Sequence, residues 1–256
     1  MIETLAGLYA FIVGAAIGSF LNVCIARWPR DLSVVRPRSR CPYCGHQLAW
    51  FENIPLVSWL ALRARCRCCD EPISVQYPLV ELAVGLAWMW SVMHFGPSFD
   101  AFRVAVFATI LLGIALTDLK YYLIPDGFTV FGLFFFLVTS VIAAFTGDAG
   151  LFVGPFDALV GACAGAGFIA IVGWLGEAAL KREAMGMGDV TMMAFVGAAV
   201  GPKLAIITVF LGALLGAATF LLVVYPVARV RQSAYREQTE LALGGGSFEP
   251  PLVPFG

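Results

Sequence analysis

The sequence predicts an all-α polytopic membrane protein with about seven transmembrane helices and a small cytoplasmic zinc-ribbon insertion. Three observations carry this fold class. Of the 256 residues, 60% are hydrophobic and only 13% charged, with a mean hydropathy of +0.87, whereas soluble domains average about 25% charged residues. The apolar residues gather into runs near spanning length, about 20 residues each. The polar stretch behind the first run holds two CxxC pairs, Cys41/Cys44 and Cys66/Cys69. A net charge of -1 gives no global basic field, which argues against nucleic acid as a partner and leaves the lipid bilayer as the expected one.

In chain order, the expected crossings are 5–26, 78–95, 101–117, 128–145, 158–180 and 203–227. The first run is too long for a cleaved signal peptide, and Arg27 and Arg30 follow it instead of a small-residue cleavage site, so it reads as a retained helix. The stretch 190–200 is shorter. At about 1.5 Å per residue it covers roughly half the hydrocarbon layer, and it reads as a seventh, short crossing, with a re-entrant hairpin as the competing reading. These runs divide the chain into a first transmembrane helix at 1–27, a cytoplasmic ribbon loop at 28–77, a transmembrane core at 78–227 and a polar tail at 228–256. Gly14, Gly18, Gly161, Gly165 and Gly167 sit inside the runs and suit close helix packing.

Orientation follows from the distribution of positive charge. The first connection carries Arg27, Arg30, Arg36, Arg38, Arg40, Arg63, Arg65 and Arg67, which places it in the cytoplasm. Alternation then puts Lys120, Lys181, Arg182, Arg229, Arg231 and Arg236 on the same side, with Arg103 and Lys203 as the exceptions outside. The outer connections hold Asp100, Asp148 and Asp157 instead.

In the first connection each CxxC forms a knuckle that offers two thiolates to one tetrahedral ion, and a spacing of about 20 residues between pairs is that of a zinc ribbon. So short a stretch buries little core, so metal binding supplies its folding energy. Cys41, Cys44, Cys66 and Cys69 are the expected zinc ligands, with Cys68 as an alternative to Cys69 and His46 as an alternative fourth ligand. Reduced free thiols and a redox CxxC are the competing readings.

Two carboxylates stand at the edges of apolar segments. Asp118 follows the run 105–117, and Asp189 closes Met185-Gly186-Met187-Gly188-Asp189 ahead of 190–200. Ionisable groups near hydrocarbon pair, face a wet cavity or carry function, and the predicted topology puts both acids at the cytoplasmic face. Two carboxylates sharing one proton can act together, the ionised one drawing a proton from water and the protonated one polarising a carbonyl. Gly186 and Gly188 leave room for backbone or substrate beside Asp189 and let the chain turn into the helix. Helix capping is the competing reading for each Asp alone, and Asp126, in Pro125-Asp126-Gly127, reads as turn chemistry.

Several ordered motifs then resemble one family. Gly18-Ser19-Phe20-Leu21-Asn22-Val23, the two CxxC pairs flanking Glu52-Asn53-Ile54-Pro55-Leu56-Val57-Ser58, Tyr77-Pro78-Leu79-Val80-Glu81, Thr117-Asp118 with Leu123-Ile124-Pro125-Asp126, and Gly186-Met187-Gly188-Asp189 are similar to those of prepilin peptidases, the GxGD-type membrane aspartic proteases. The resemblance spans about 18–201. It implies removal of short, charged leaders from type IV prepilins or pseudopilins at the cytoplasmic face of a bacterial inner membrane, with Asp118 and Asp189 as the catalytic pair. It also implies methylation of the new N-terminus with S-adenosylmethionine in many members, although no glycine-rich nucleotide loop marks a site for it. Two departures stand out: Thr191 occupies a position where members commonly carry Lys, and no further apolar helix follows the tail. The rival readings are a non-enzymatic membrane scaffold that docks a partner on the ribbon, and a transporter. Acids at one face argue against the transporter, whose site belongs near the midplane.

Overall fold

The computed structural model describes residues 2–147, 150–182 and 185–229. Asp148, Arg231, Arg236 and the tail beyond residue 229 lie outside the described residues. The described chain is helical without named strands: α1 (Ile2–Arg27), α2 (Val57–Ala61), α3 (Gln76–Phe95), α4 (Phe99–Tyr121), α5 (Asp126–Thr146), α6 (Pro155–Leu180) and α7 (Met187–Thr219). Six helical stretches are long and apolar enough to cross a membrane, and the last, Met187–Arg229, is 43 residues long. The chain is a multi-pass membrane protein.

The chain divides into two compact units, Met1–Ile206 and Ile207–Gly256. The second is helical through its described part and contains a π-helical turn, Phe220–Val224. In the first unit, α1 and α3 run antiparallel in close contact. A Cβ on Gly18 would lie 2.8 Å from the Cα of Glu81, and one on Gly14 would lie 2.7 Å from the Cβ of Trp88. Near their other end the Asn22 amide donates to the Tyr77 carbonyl at 3.1 Å. Ser98 caps α4 by accepting from the Ala101 N–H at 3.1 Å.

Helix α7 settles the short segment. Gly201 breaks it with φ +81° and ψ 174°, followed at once by Pro202, which has no N–H to donate. The part before the break reaches from one end of the bundle to the other. A Cβ on Gly188 would lie 2.9 Å from Ile124 in the α4–α5 connection, and one on Gly201 would lie 2.9 Å from Val153 in the α5–α6 connection. Helix α5 spans that same interval, so 187–200 runs alongside it as a short crossing and is no re-entrant hairpin. Its contact with α6 is backbone to backbone: Gly161 faces the Gly197 carbonyl, Gly197 faces the Gly161 carbonyl, and Gly165 faces the Met193 carbonyl. Gly167 differs, since nothing lies within 4 Å of where its Cβ would be, and the packing role expected for it is absent. Gly161→Leu should therefore force the helices apart and destabilise the bundle by about 1–3 kcal/mol or more, read as a lowered unfolding temperature in detergent; Gly167→Ala should leave it unchanged.

Arg103, expected on the outer side, is fully buried near the start of α4. Its guanidinium lies 3.7 Å from Asp100 and 4.5 Å from the centre of the Phe152 ring, while Asp100 accepts from the Leu151 N–H at 2.6 Å. The charge pins α4 to the α5–α6 connection, and as a partnered charge it is a weak topological signal.

Candidate active site and metal centre

The two CxxC segments fold as copies of one knuckle. The Gly45 N–H donates to the Cys41 carbonyl and the Asp70 N–H to the Cys66 carbonyl, each at 3.0 Å. The Cys41 and Cys66 N–H groups donate to the His46 and Glu71 carbonyls at 2.9 and 2.8 Å. Gly45 and Asp70 turn each knuckle with φ +72° and +59°. This register equates Cys41 with Cys66 and Cys44 with Cys69, so Cys68 falls where Tyr43 stands in the other copy. The Sγ atoms of Cys41, Cys44, Cys66 and Cys69 all lie within 4.8 Å of one another, with Cys41 and Cys69 at 3.8 Å and Cys44 and Cys66 at 3.9 Å. A tetrahedron of sulfurs about 2.3 Å from zinc has edges of about 3.8 Å, so the four thiols fit that ion. His46 is not part of this cluster, whose four positions the thiols fill; its Nε2 lies 3.2 Å from the Glu52 carboxylate.

Two acids that the sequence left without a role brace the ribbon, Glu52 from within and Glu81 from α3. Buried Glu52 accepts from the Ala49 N–H at 2.8 Å, and this bond, with His46 and Arg67 nearby, holds its carboxyl below the usual carboxylate range. A depressed folded-state value means that this clamp is fully present above the ordinary carboxylate pKa and is lost only as pH falls through the lower one. Glu52→Gln should therefore speed amide exchange over 46–58 at neutral pH. Ser58 donates to the Phe51 carbonyl at 2.6 Å and accepts from the Ile54 N–H at 2.9 Å. Buried Glu81, on α3, accepts from the Leu56 N–H at 2.8 Å and secures a residue whose φ of +62° is costly for leucine. Between the ribbon and the ends of α1 and α3 lies a cavity of about 440 Å³, lined in part by Asn22, Tyr43, Glu52, Trp59, Tyr77 and Glu81.

Asp118 lies one turn before the end of α4, which runs on to Tyr121; the left-handed Tyr122 closes it with its N–H on the Asp118 carbonyl at 2.8 Å. Asp118 is exposed and Asp189 half-buried. Asp189 is the third residue of α7, inside its first turn, where a carboxylate suits the helix dipole; its N–H donates to the Gly186 carbonyl at 3.2 Å. The 186–189 turn rests on the connection that follows Asp118, through Gly188 against Ile124. Gly188 thus answers to close approach. Gly186 has only the Asp189 carboxylate, 3.8 Å away, near its missing Cβ. Neither glycine is among those with positive φ, so the turn expected of them needs no left-handed backbone. Asp126 is the first, exposed residue of α5, and the Thr129 hydroxyl lies 3.4 Å from its carbonyl.

Residues 12–95 match the family described as the bacterial peptidase A24 N-terminal domain, and residues 105–221 match the type IV leader peptidase family. A prepilin leader peptidase/N-methyltransferase of Stutzerimonas stutzeri is 37% identical over 233 residues, covering 82% of this chain and 78% of that protein. The chain belongs to the type IV leader peptidase family. It is accordingly an enzyme of the peptidase class. A protein of the same printed name from Bacillus subtilis is 33% identical over 219 residues, with 82% of each chain covered. One from Myxococcus xanthus is 45% identical over 190 residues; the match covers 74% of this chain and spans about half, 55%, of that relative's length. No solved structure matches the chain. Within the family the match runs through α1, the ribbon and α3, then from α4 into α7, so both the thiol cluster and the two aspartates fall inside matched regions.

Proposed function

We propose that this leader peptidase is an aspartic endopeptidase that cuts the leader from type IV prepilins or pseudopilins at the cytoplasmic face of a bacterial inner membrane. The observation that supports it most is the seating of the 186–189 turn on the connection behind Asp118, which sets two carboxylates at one end of the bundle. In this reading one carboxylate takes a proton from water as it attacks the scissile carbonyl, and the other, protonated, donates to the developing oxyanion. The proton then passes to the leaving amine. The ribbon at 28–77 is a structural module tied to α3 through Leu56 and Glu81, and the core at 78–227 carries the chemistry. Zinc on Cys41, Cys44, Cys66 and Cys69 is structural, because four thiolates close its coordination. Incubating the purified protein with a peptide spanning the leader junction of a prepilin should release the leader; an intact peptide would overturn the reading.

The names of the relatives extend the proposal to N-methylation. When bound, S-adenosylmethionine supplies an electrophilic methyl on a sulfonium cation. The cavity beside the ribbon fits such a group in size and character: about 440 Å³, within the range of small-molecule sites, with the Glu81 and Glu52 carboxylates to face a cation and Tyr43, Trp59 and Tyr77 to pack on a flat base. Glu81→Gln keeps an acceptor for the Leu56 N–H while removing the charge, so it should weaken methyl-donor binding in a titration and leave leader release intact.

Sidedness is tested separately. Reporter fusions after Arg30, Lys120 and Arg182 should score cytoplasmic, and fusions after Gly96, Gly147 and Gly201 external. A cytoplasmic score at Gly201 would contradict the end-to-end path of 187–200.

A further inference from the structure

The ribbon carries an apolar face for which the cleavage chemistry has no use. Trp50 is 75% and Leu60 68% exposed, and Phe51, Ile54 and Val57 are exposed beside them. They belong to one local structure, the turn Trp50–Asn53 and α2, joined by the two hydrogen bonds of Ser58. Val57 and Leu60 are three residues apart and share a side of α2. The Trp50 and Phe51 rings meet edge to face at 5.8 Å, and the Arg67 guanidinium lies over Phe51 at 5.6 Å. Arg63, Arg65 and Arg67 are exposed on the strip of chain that follows.

The depth of this face says what covers it. Helix α3 has 20 residues, about 30 Å, which is the thickness of the hydrocarbon layer with no turn to spare. Glu81, which holds the Leu56 N–H, is in its second turn, roughly 7 Å inside that length, and it stands opposite Gly18, well before the end of α1 at Arg27. The segment 50–61 is therefore tied down beside the membrane-spanning helices at their margin. At that level an exposed tryptophan with aliphatic neighbours suits the boundary between headgroups and acyl chains, and nearby arginines suit phosphates.

We propose that Trp50, Phe51, Ile54, Val57 and Leu60 form an interfacial anchor that seats the ribbon in the headgroup layer of an anionic bilayer, with Arg63, Arg65 and Arg67 on lipid phosphates. The anchor fixes the height of the ribbon above the helix ends. It is tested with the full chain reconstituted into vesicles containing phosphatidylcholine brominated near the headgroup, by subtracting the fluorescence of Trp50→Phe protein from that of the unaltered protein so that only Trp50 is read. The Trp50 signal should be quenched, and at least about twofold more when phosphatidylglycerol is included than in neutral vesicles. Leu60→Asp protein that still holds its zinc should lose most of that quenching. Unquenched Trp50, or equal quenching in neutral and anionic vesicles, would overturn the proposal. So would amide exchange over 50–61 that slows only when a prepilin peptide is added, which would make the face a protein-docking surface.

Discussion

Asp118→Asn and Asp189→Asn should each lower leader cleavage by at least about a hundredfold, toward ten-thousandfold, while the protein still folds in the membrane. Asparagine keeps the size of the side chain and much of its hydrogen bonding but holds no ionisable proton. Both residues sit at the accessible end of their helices, Asp118 exposed and Asp189 half-buried, so neither substitution leaves a hole in the core. Asp126→Asn is the control. Asp126 is the exposed first residue of α5 with no side-chain capping bond at that end, so Asn there costs at most a small helix-dipole contribution and cleavage should be retained. Each variant is compared at equal protein in the membrane, and initial rates on one prepilin substrate check the prediction.

Removing the metal should have the second large effect, and of a different kind. Purified protein should contain about one zinc per chain, and Cys41→Ser or Cys66→Ser should remove most of it. A ribbon so poor in core depends on metal binding for stability on the order of 10 kcal/mol; the knuckles around Cys41 and Cys66 should open and residues 28–77 become sensitive to protease. Cys68→Ser should retain both zinc and protection, since Cys68 is exposed and outside the cluster. Cleavage should decline with the ribbon only as far as the loss of fold disturbs the helix ends. Metal-free protein with a protease-resistant ribbon would contradict this.

The spans and the thiol cluster were legible because hydropathy and CxxC spacing are local patterns. The register of the knuckles then decided between Cys69 and Cys68, a choice that spacing alone left open. Segment 190–200 was ambiguous because its length is marginal, and only the contacts of Gly188 and Gly201 at opposite ends of α5 resolve it. Glu81 and Asn22 were named only as parts of motifs, because their partners, Leu56 and Tyr77, are 25 and 55 residues away in sequence. The clue that was present is an acid inside an apolar helix. The burial of Arg103 was hidden for a related reason: charge counted by side ignores a partner such as Asp100 inside the helix end. For Asp118 and Asp189 the sequence offered positions at apolar edges, and the structure adds the support of one turn by the other's connection.

The most direct test of the paired carboxylates is the intact mass of a candidate prepilin co-expressed with this chain. Unaltered enzyme should yield pilin lighter by its leader, and about 14 Da heavier than the bare product where methylation follows; co-expression with Asp118→Asn or Asp189→Asn should yield only the full-length precursor. Mature pilin from either variant would contradict the aspartate pair.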